Sequence, residues 1–353
     1  MPLRTNMSLF FRKFMYIPRA ILTHSHQWFS WRVHQKRHVN NIIFLVTNEC
    51  NARCSHCFLK SALNKDSNQN LTLEEIRKFF SSLGRVDNIV LGGGEPFLRQ
   101  DLEHICSLLE NVSKPATISI PTNGSIPEVI CQKTQHILDN SRSDIKISLS
   151  LDGPPDVHDR IRGIPGLFAN VEKTYDMLVL LRTRYSPRLH LQINATIHRE
   201  NYPYFRELYS LAHGRFKEAV FMFETIRGDY DAGLVASISD AMYSDLVDFI
   251  VHDERYRATS FFQFHKVALE IIKHKRQYVP CNAGVNFIVL DFFGNLYPCE
   301  ILPPVANIRE VNYSFKKILR SRQWQASIRK IREGQCYCTH MCFLMSSLQD
   351  AKK

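Results

Sequence analysis

Three cysteines stand within eight residues, at positions 50, 54 and 57, directly after a short apolar run. Three thiolates at this spacing can converge on one metal centre. Zinc normally takes four protein ligands, and no fourth cysteine lies close by in the sequence. Three ligands instead suit a four-iron cluster in which one iron stays open to a substrate atom. We therefore predict that Cys50, Cys54 and Cys57 bind an iron–sulfur cluster; the alternative is a loop with three unrelated cysteines.

A glycine run follows the next apolar segment, where Gly92, Gly93 and Gly94 precede Glu95. Consecutive glycines adopt backbone angles closed to other residues and let a ligand approach the main chain. Glu95 then supplies an acceptor for an ammonium group. A tight turn explains an isolated glycine triplet as well, but the position of this one after the second predicted strand favours ligand binding.

The C-terminal part of the chain holds a second cysteine group. The chain has ten cysteines in all, and no signal-peptide pattern opens it, so a reducing, cytoplasmic setting and metal ligation are expected rather than disulfides. Cys106 and Cys131 fall in helical patterns and receive no role. The group itself consists of Cys281, Cys299, Cys336, Cys338 and Cys342.

Alternating strands and helices must position these residues. The alternation predicts parallel strands joined by crossover helices, as an incomplete (β/α)6 barrel or a curved open sheet. Both the cysteine loop and the glycine run follow strand ends, where barrel enzymes place their active sites. The predicted strands are Ile42–Thr47, Asn88–Leu91, Thr117–Ile120, Ile145–Leu151, Leu189–Ile197 and Ala219–Ile226. The predicted helices are Leu73–Leu83, Leu102–Asn111, Glu128–Leu138, Phe168–Thr183 and Tyr202–Ala212.

Four segments are expected along the chain. Residues 1–40 form a basic amphipathic, helical N-terminal segment, and residues 41–230 form the partial barrel. Residues 231–279 form a helical linker, with helices at Ser239–Val251 and Phe261–His274. Residues 280–353 form a small cysteine-rich α+β domain that needs a metal to hold it together, with one amphipathic helix over Phe315–Ile331.

The Cys-x3-Cys-x2-Cys loop with His56, followed by Gly93-Gly94-Glu95-Pro96, resembles the radical S-adenosylmethionine family. The resemblance implies an oxidoreductase or transferase whose three cysteines hold a [4Fe–4S] cluster. Such an enzyme reductively cleaves S-adenosylmethionine to a 5′-deoxyadenosyl radical, which abstracts hydrogen from a substrate. It also implies an electron donor such as flavodoxin or ferredoxin.

The same resemblance assigns cofactor-binding roles beyond the cysteines. Asp152 has the alternative of a turn residue that bonds its own backbone, and Arg162 competes with Arg160. Asn194 on the fifth strand either faces the cofactor or belongs to the core. The residues implied to bind S-adenosylmethionine are Gly93, Gly94, Glu95, Asn123, Ser150, Asp152 and Arg160.

Residues from Pro280 to Cys342 are similar to the SPASM and twitch domains, which carry auxiliary iron–sulfur clusters. Gly294-x4-Cys299 and Cys338-x3-Cys342 match their pattern, but five cysteines are fewer than the full set of about seven. The resemblance therefore implies one auxiliary [4Fe–4S] cluster in a twitch-like domain. Its ligands would be Cys281, Cys299, Cys342 and either Cys338 or Cys336, and a structural zinc is the alternative.

The charge distribution limits the classes of partner. The net charge is +11, yet Met1–Asn48 contains no acidic residue and seven basic ones, so no nucleic-acid partner is expected. The N-terminal segment either contacts an anionic membrane from its inner face, covers the barrel, or serves as a transit peptide. For the substrate, a peptide or protein competes with a small molecule or lipid. A non-catalytic iron–sulfur module is the third hypothesis, and it leaves the glycine run without a purpose.

Overall fold

The structure is a computed structural model, and it describes residues 39–226, 237–334 and 336–351. One nine-stranded sheet organises them, with strand order β6-β5-β4-β3-β2-β1-β7-β8-β9. The strands are β1 (Asn41–Thr47), β2 (Asn88–Gly93), β3 (Thr117–Thr122), β4 (Asp144–Ser150), β5 (Leu189–Ile197), β6 (Val220–Thr225), β7 (Phe287–Leu290), β8 (Asn295–Tyr297) and β9 (Ala306–Asn307).

Helices connect the first six strands, and further helices follow them. Those of the barrel are α1 (Leu73–Leu83), α2 (Leu102–Val112), α3 (Pro127–Asn140), α4 (Pro155–Arg162), α5 (Leu167–Tyr185) and α6 (Phe205–Gly214). Those beyond it are α7 (Asp240–Ile250), α8 (Glu254–Arg257), α9 (Ser260–His274), α10 (Phe315–Leu319), α11 (Arg322–Arg332) and α12 (Met341–Asp350). No helix in the described part of the chain is long and apolar enough to cross a membrane.

Strands β1 to β6 pair in parallel, each with its neighbour in sequence. The sheet stays open, because β6 ends one edge and β9 ends the other. The expected α/β class and incomplete barrel are therefore confirmed. All six predicted strands are present, and their observed bounds agree with the predicted ones within two residues at each end.

The sheet continues across the predicted domain boundary at residue 280. Strand β7 pairs in parallel with β1, matching Ile42 to Ile288, and a short antiparallel hairpin adds β8 and β9. Helix α12 packs against α9 through a second apolar cluster that includes Phe264 and Met341. The C-terminal segment is thus joined to the barrel by strand pairing and to α9 by helix packing.

The two faces of the middle strands differ in polarity. Ile145, Ile147 and Leu149 of β4 are fully buried and face the side on which α5 packs. Because side chains alternate along a strand, Lys146 and Ser148 face the interior of the open barrel. Parallel strands are usually apolar on both faces, so this polar inner face indicates a site that contacts water or a polar ligand.

Three local predictions need correction. The single helix expected over Phe315–Ile331 is two helices, because the Ser321 hydroxyl accepts from the Trp324 amide and starts a new helix there. The helix expected from Tyr202 begins as a 3-10 turn, and α6 starts at Phe205. Helices α4, α8 and α12 were not predicted. Residues 1–38 of the predicted N-terminal segment lie outside the described part of the chain.

Candidate cluster and cofactor site

The loop that follows β1 brings Cys50, Cys54 and Cys57 together. All three thiols are partly buried. Burial, together with the charges of Glu95, Cys54 and Cys57, raises the pKa of the Cys50 thiol to about 12. Burial also raises the pKa of Cys57, and Cys54 adds to the effect. The three sulfurs are therefore close enough to repel one another as thiolates, which a bound cation would relieve.

Three thiols on one loop can serve as ligands of an iron–sulfur cluster. Among residues 39–226, 237–334 and 336–351, no three His, Cys, Asp or Glu side chains are placed to hold one metal ion. The thiolates of a four-iron cluster bind different irons, so they stand farther apart than the ligands of one ion. Three partly buried thiols on one loop fit such a cluster.

The glycine run fixes this loop from one side. The Gly94 amide donates to the Thr47 carbonyl at 2.7 Å, and the Glu95 amide donates to the Glu49 carbonyl at 2.8 Å. A Cβ at Gly94 would lie 2.1 Å from the Glu49 oxygen, and one at Gly93 would lie 2.3 Å from the Thr47 oxygen. Both glycines are therefore required because two strand ends approach closely, a reason that differs from the ligand approach predicted above.

The end of α4 fixes the loop from the other side. The Arg53 amide donates to the Arg162 carbonyl and the Ser55 amide to the Ile161 carbonyl, each at 2.9 Å. Gly163 ends the helix with a φ of 67°, and a Cβ there would come 3.1 Å from that of Arg53. The main chain on both sides of Cys54 is thus bound to α4.

Glu95 is a buried carboxylate beside this loop. It accepts hydrogen bonds from the Thr122 hydroxyl at 2.8 Å and from the amides of Asn123 and Phe97 at 2.7 and 3.2 Å. Burial raises its pKa to about 7, although these donors oppose the shift. No side chain in the described part of the chain forms an ion pair with it. A buried carboxylate without a cationic partner is suited to bind an ammonium group.

Asn123 supports both Glu95 and the cluster loop. Its amide donates to Glu95, and its Nδ2 donates to the Asn51 Oδ1 at 2.8 Å. Its Oδ1 accepts from the Ser125 amide at 2.9 Å, and Asn51 Nδ2 donates to the Ser125 hydroxyl at 2.8 Å. The end of β3 is therefore bound to the residue after Cys50.

Asp152 is an ion-pair residue rather than a turn residue that bonds only its own backbone. Its Oδ2 lies 2.6 Å from the Nε of Arg162, and its side chain is fully buried. Burial alone would raise the pKa of Asp152, but the guanidinium outweighs it and holds that pKa well below its usual range. The side chain of Arg160, in contrast, is exposed. The structure therefore favours Arg162 over Arg160 as the arginine of this site.

Three buried histidines surround this ion pair. Nε2 of His56 lies 3.9 Å from Asp152 Oδ2, and the rings of His56 and His198 are 5.2 Å apart. The Asp152 amide donates to Nδ1 of His158 at 3.1 Å. Burial lowers the pKa of His56 and of His158 to about 4, and it lowers that of His198 as well. All three are therefore neutral near pH 7.

Ser150 at the end of β4 pairs with Asn194, which lies three residues before the end of β5. Both are only partly buried. The Oδ1 of Asn194 is itself buried and has no hydrogen-bond partner within the described ranges. Such an acceptor is costly unless a ligand or water donates to it, so these strand ends fit a polar ligand.

Cys338 lies close to three of the other C-terminal cysteines, Cys281, Cys299 and Cys336. Its charge raises the pKa of Cys281, which burial places at about 12, and it adds to the burial that raises the pKa of Cys299. Cys336 affects Cys281, whereas the thiol of Cys342 acts on Lys146 of β4. The charge of Cys338 therefore acts on both Cys281 and Cys299, whereas that of Cys336 acts on Cys281.

A buried contact between a histidine and a glutamate lies within this second group. Nε2 of His340 lies 2.6 Å from Oε2 of Glu300. Glu300 follows Cys299, and His340 stands between Cys338 and Cys342, so the pair ties two parts of the cysteine group together.

Sequence reasoning missed several residues of the site. Asn201 and His198 carry no motif, because they matter only through contacts with Asp152 and His56, which are distant in the sequence. Lys146 could have been found, since a lysine between Ile145 and Ile147 interrupts an apolar strand.

Comparison with known proteins agrees with this geometry. The family model for the radical SAM superfamily matches residues 44–212. The AdoMet-dependent heme synthase of Oleidesulfovibrio alaskensis is 23% identical over 85% of this chain and 79% of its own length. The subtilosin biosynthesis protein AlbA of Bacillus subtilis is 24% identical over 82% of this chain and 62% of its own.

Solved structures show the same fold. Streptococcus suis SuiB bound to S-adenosylmethionine aligns over 83% of this chain and 68% of its own, with a TM-score of 0.60 and 16% identity. The structure of anSMEcpe with bound AdoMet aligns over 82% of this chain and 83% of its own, with a TM-score of 0.60 and 18% identity. The matched residues 44–212 contain the cysteine loop, the glycine run, Asp152 and Arg162, and this part of the chain is therefore a radical SAM domain.

Proposed function

We propose that this enzyme binds a [4Fe–4S] cluster through Cys50, Cys54 and Cys57 and uses it to cleave S-adenosylmethionine for the modification of a peptide or protein. The cofactor part of this proposal rests on the buried carboxylate of Glu95, which lies beside a loop of three thiols and forms no ion pair with a side chain in the described part of the chain. The amino group of S-adenosylmethionine would pair with this carboxylate while it binds the open iron of a cluster held by the three thiols.

The bound cluster and S-adenosylmethionine supply the chemistry, which is homolysis of a sulfonium bond after one-electron reduction. The chain positions them. Glu95 binds the amino group, while the hydroxyl of Ser150 and the orphaned Oδ1 of Asn194 are placed for polar contacts with the rest of the cofactor. Gly93, Gly94 and Asn123 hold the cluster loop against Glu95.

We also propose an auxiliary [4Fe–4S] cluster on Cys281, Cys299, Cys338 and Cys342. Cys338 is chosen over Cys336 because its charge acts on both Cys281 and Cys299. The similarity to AlbA and to SuiB supports this second cluster, since the alignments extend over more than four fifths of the chain.

A peptide and a small molecule are the two competing classes of substrate, and the similar proteins include examples that favour each. AlbA is named for bacteriocin biosynthesis, and one anSMEcpe structure contains a bound peptide. The heme synthases favour a small-molecule substrate instead. The polar inner face around Lys146 and Ser148 is open to either. An assay with the peptides encoded beside this gene decides, because a modified peptide should form in step with 5′-deoxyadenosine, and its absence would favour the small molecule.

The cofactor proposal is tested on protein that is reconstituted and reduced under anaerobic conditions. We expect about eight iron atoms per chain, from four per cluster, and slow formation of 5′-deoxyadenosine and methionine. The triple change of Cys50, Cys54 and Cys57 to Ala should leave about four iron atoms and no 5′-deoxyadenosine. Cys106→Ala is the matched control, because Cys106 is buried in α2 and should change neither result. Wild-type protein with an intact cluster and no 5′-deoxyadenosine would contradict the proposal.

Two partners belong to this proposal. A reduced flavodoxin or ferredoxin would supply the electron. The acid-free N-terminal segment would attach the enzyme to an anionic membrane, with about 1 kcal/mol from each basic residue near the surface. Sedimentation with anionic vesicles at low salt tests the attachment, and full-length protein that stays in the supernatant would exclude it.

A further inference from the structure

We propose that Arg162 is a positioning residue for the cluster, which donates a hydrogen bond to the Cys54 sulfur, is held in place by Asp152, and raises the cluster's reduction potential. The inference rests on the proposed function, because it concerns the cluster that Cys54 would bind. It assigns Arg162 to the cluster ligand, whereas the family resemblance assigns the arginine of this region to S-adenosylmethionine.

The guanidinium of Arg162 is fixed at two points. Its Nη1 donates to Sγ of Cys54 at 3.7 Å, and its Nε donates to Oδ2 of Asp152 at 2.6 Å. Because a guanidinium is planar and rigid, an anchored Nε also sets the direction of Nη1. Only 11% of the Arg162 side chain is exposed, so little water competes for either contact.

Asp152 is in turn a fixed point of the sheet. Its Oδ1 accepts from the Thr196 amide at 3.0 Å, and its carbonyl accepts from Nδ2 of Asn201 at 2.9 Å. Asp152 follows β4, while Thr196 lies in β5, so the carboxylate is held by a neighbouring strand. A residue set this firmly can orient Arg162 without rearrangement when the cluster binds.

The main chain of Arg162 acts on the same loop. Its carbonyl accepts from the Arg53 amide, and the preceding carbonyl of Ile161 accepts from the Ser55 amide. The residues on both sides of Cys54 are thus bound to the helix turn that carries the guanidinium. This places the donor opposite the Cys54 sulfur, rather than opposite the sulfurs of Cys50 or Cys57.

The charges around Cys54 leave Arg162 as the cation that contacts its sulfur. Its Nη1 lies 3.7 Å from that sulfur, and the carboxylate of Asp152 contacts Nε of the same guanidinium at 2.6 Å. A hydrogen bond from a cation to a ligating sulfur stabilises the more negative, reduced cluster. Its removal should therefore shift the midpoint potential to more negative values.

The test is a redox titration of anaerobically reconstituted protein, followed by electron paramagnetic resonance. The relevant signal is the one lost when Cys50, Cys54 and Cys57 are changed to Ala. We expect Arg162→Gln to lower the midpoint potential of this signal by about 59 mV. That shift corresponds to about a tenfold change in the equilibrium constant of a one-electron reduction. Arg160→Gln, on the exposed side of α4, is the matched control and should leave the potential unchanged.

The outcomes separate the alternatives. Wild-type potential in Arg162→Gln, with full iron content and weakened S-adenosylmethionine binding, would overturn the inference and make Arg162 a cofactor ligand. If Arg162→Gln loses its iron, Arg162→Lys is measured instead. That variant keeps the charge but not the fork, so it should retain iron and still shift the potential; an unchanged potential would overturn the inference. Wild-type protein without any four-iron signal would overturn the proposed function and this inference together.

Discussion

At the scale of single residues, Glu95 is the group whose charge state controls the site. Three donors surround its carboxylate, yet burial still raises its pKa to about 7. The group therefore changes charge in the range in which most proteins are handled. A carboxylate binds an ammonium group strongly, and a neutral carboxyl group does not.

Binding of S-adenosylmethionine should therefore strengthen as the pH rises from 6 to 8. Below the pKa the ionised fraction of Glu95 falls about tenfold per pH unit, so the dissociation constant at pH 6 should exceed its plateau value by up to about tenfold. Above pH 8 the carboxylate is fully ionised and binding should level off. Anaerobic equilibrium dialysis measures the constant, with the iron content checked at each pH.

Glu95→Gln is the control for this pH dependence. It should bind S-adenosylmethionine more weakly at pH 8 and show a flat profile, because its amide does not titrate. A flat profile in wild-type protein with full iron content would show that another group binds the ammonium.

Two features of the site show what sequence reasoning can and cannot reach at this scale. The cysteine spacing predicted the loop because its members are close in the sequence. The choice between Arg160 and Arg162 could not be made that way. Residues two apart on a helix point to different sides, and only the position of α4 against the loop decides which one is buried.

At the scale of elements, the contact between the ends of β1 and β2 is the tightest part of the site. A Cβ on Gly94 would lie 2.1 Å from the Glu49 oxygen, which is a backbone atom that cannot rotate away. Gly94→Ala should therefore lower the free energy of unfolding by about 3 kcal/mol or more. It should also reduce the iron content, since the cluster loop must move.

The control for this change is Gly214→Ala. Gly214 ends α6, and a Cβ there meets nothing within 4 Å, so both the stability and the iron content should stay near wild type. Chemical denaturation and iron analysis measure the two properties. Equal stability of the two variants would mean that the strand ends separate easily.

The break between α10 and α11 depends on one side chain. Ser321 accepts from the Trp324 amide at 3.2 Å, and Trp324 is fully buried. Ser321→Ala should cost about 1 kcal/mol of unfolding free energy, because it removes a helix cap. Ser314→Ala is the matched control, since Ser314 precedes α10 without capping it through its side chain. Equal losses from both changes would contradict a capping role.

The elements that sequence reasoning identified best are those with strong apolar periodicity. Helix α1 was predicted to the residue, because Thr72 and Glu75 form a capping box at its start and Gly84 follows its end. The prediction of one helix over 315–331 missed the break between α10 and α11. The apolar periodicity of α10 continues into α11, so the pattern gives no sign of the cap at Ser321. Strands β8 and β9 have three and two residues, which is too short for any periodicity to be visible.

At the scale of the whole molecule, the pairing of β1 with β7 decides whether the chain behaves as one unit. The paired residues Ile42 and Ile288 are 246 positions apart, and no local pattern could indicate that they meet. The predicted division at residue 280 treated the C-terminal part as separate. In the observed sheet β1 is a central strand, with β2 on one side and β7 on the other.

This continuity predicts that damage in β7 spreads into the barrel. Ile288 is fully buried, so Ile288→Asp places a charge without a partner in the sheet and should cost about 3 kcal/mol or more. Since β1 then loses one of its two neighbours, amide hydrogen exchange should accelerate in Asn41–Thr47 as well as in Phe287–Leu290. Ile288→Val keeps the apolar contact, costs about 1 kcal/mol and should leave both segments protected. Exchange by mass spectrometry follows the two segments in one experiment. If the acceleration in Ile288→Asp stays beyond residue 280, the barrel is stable without β7 and the two parts unfold independently.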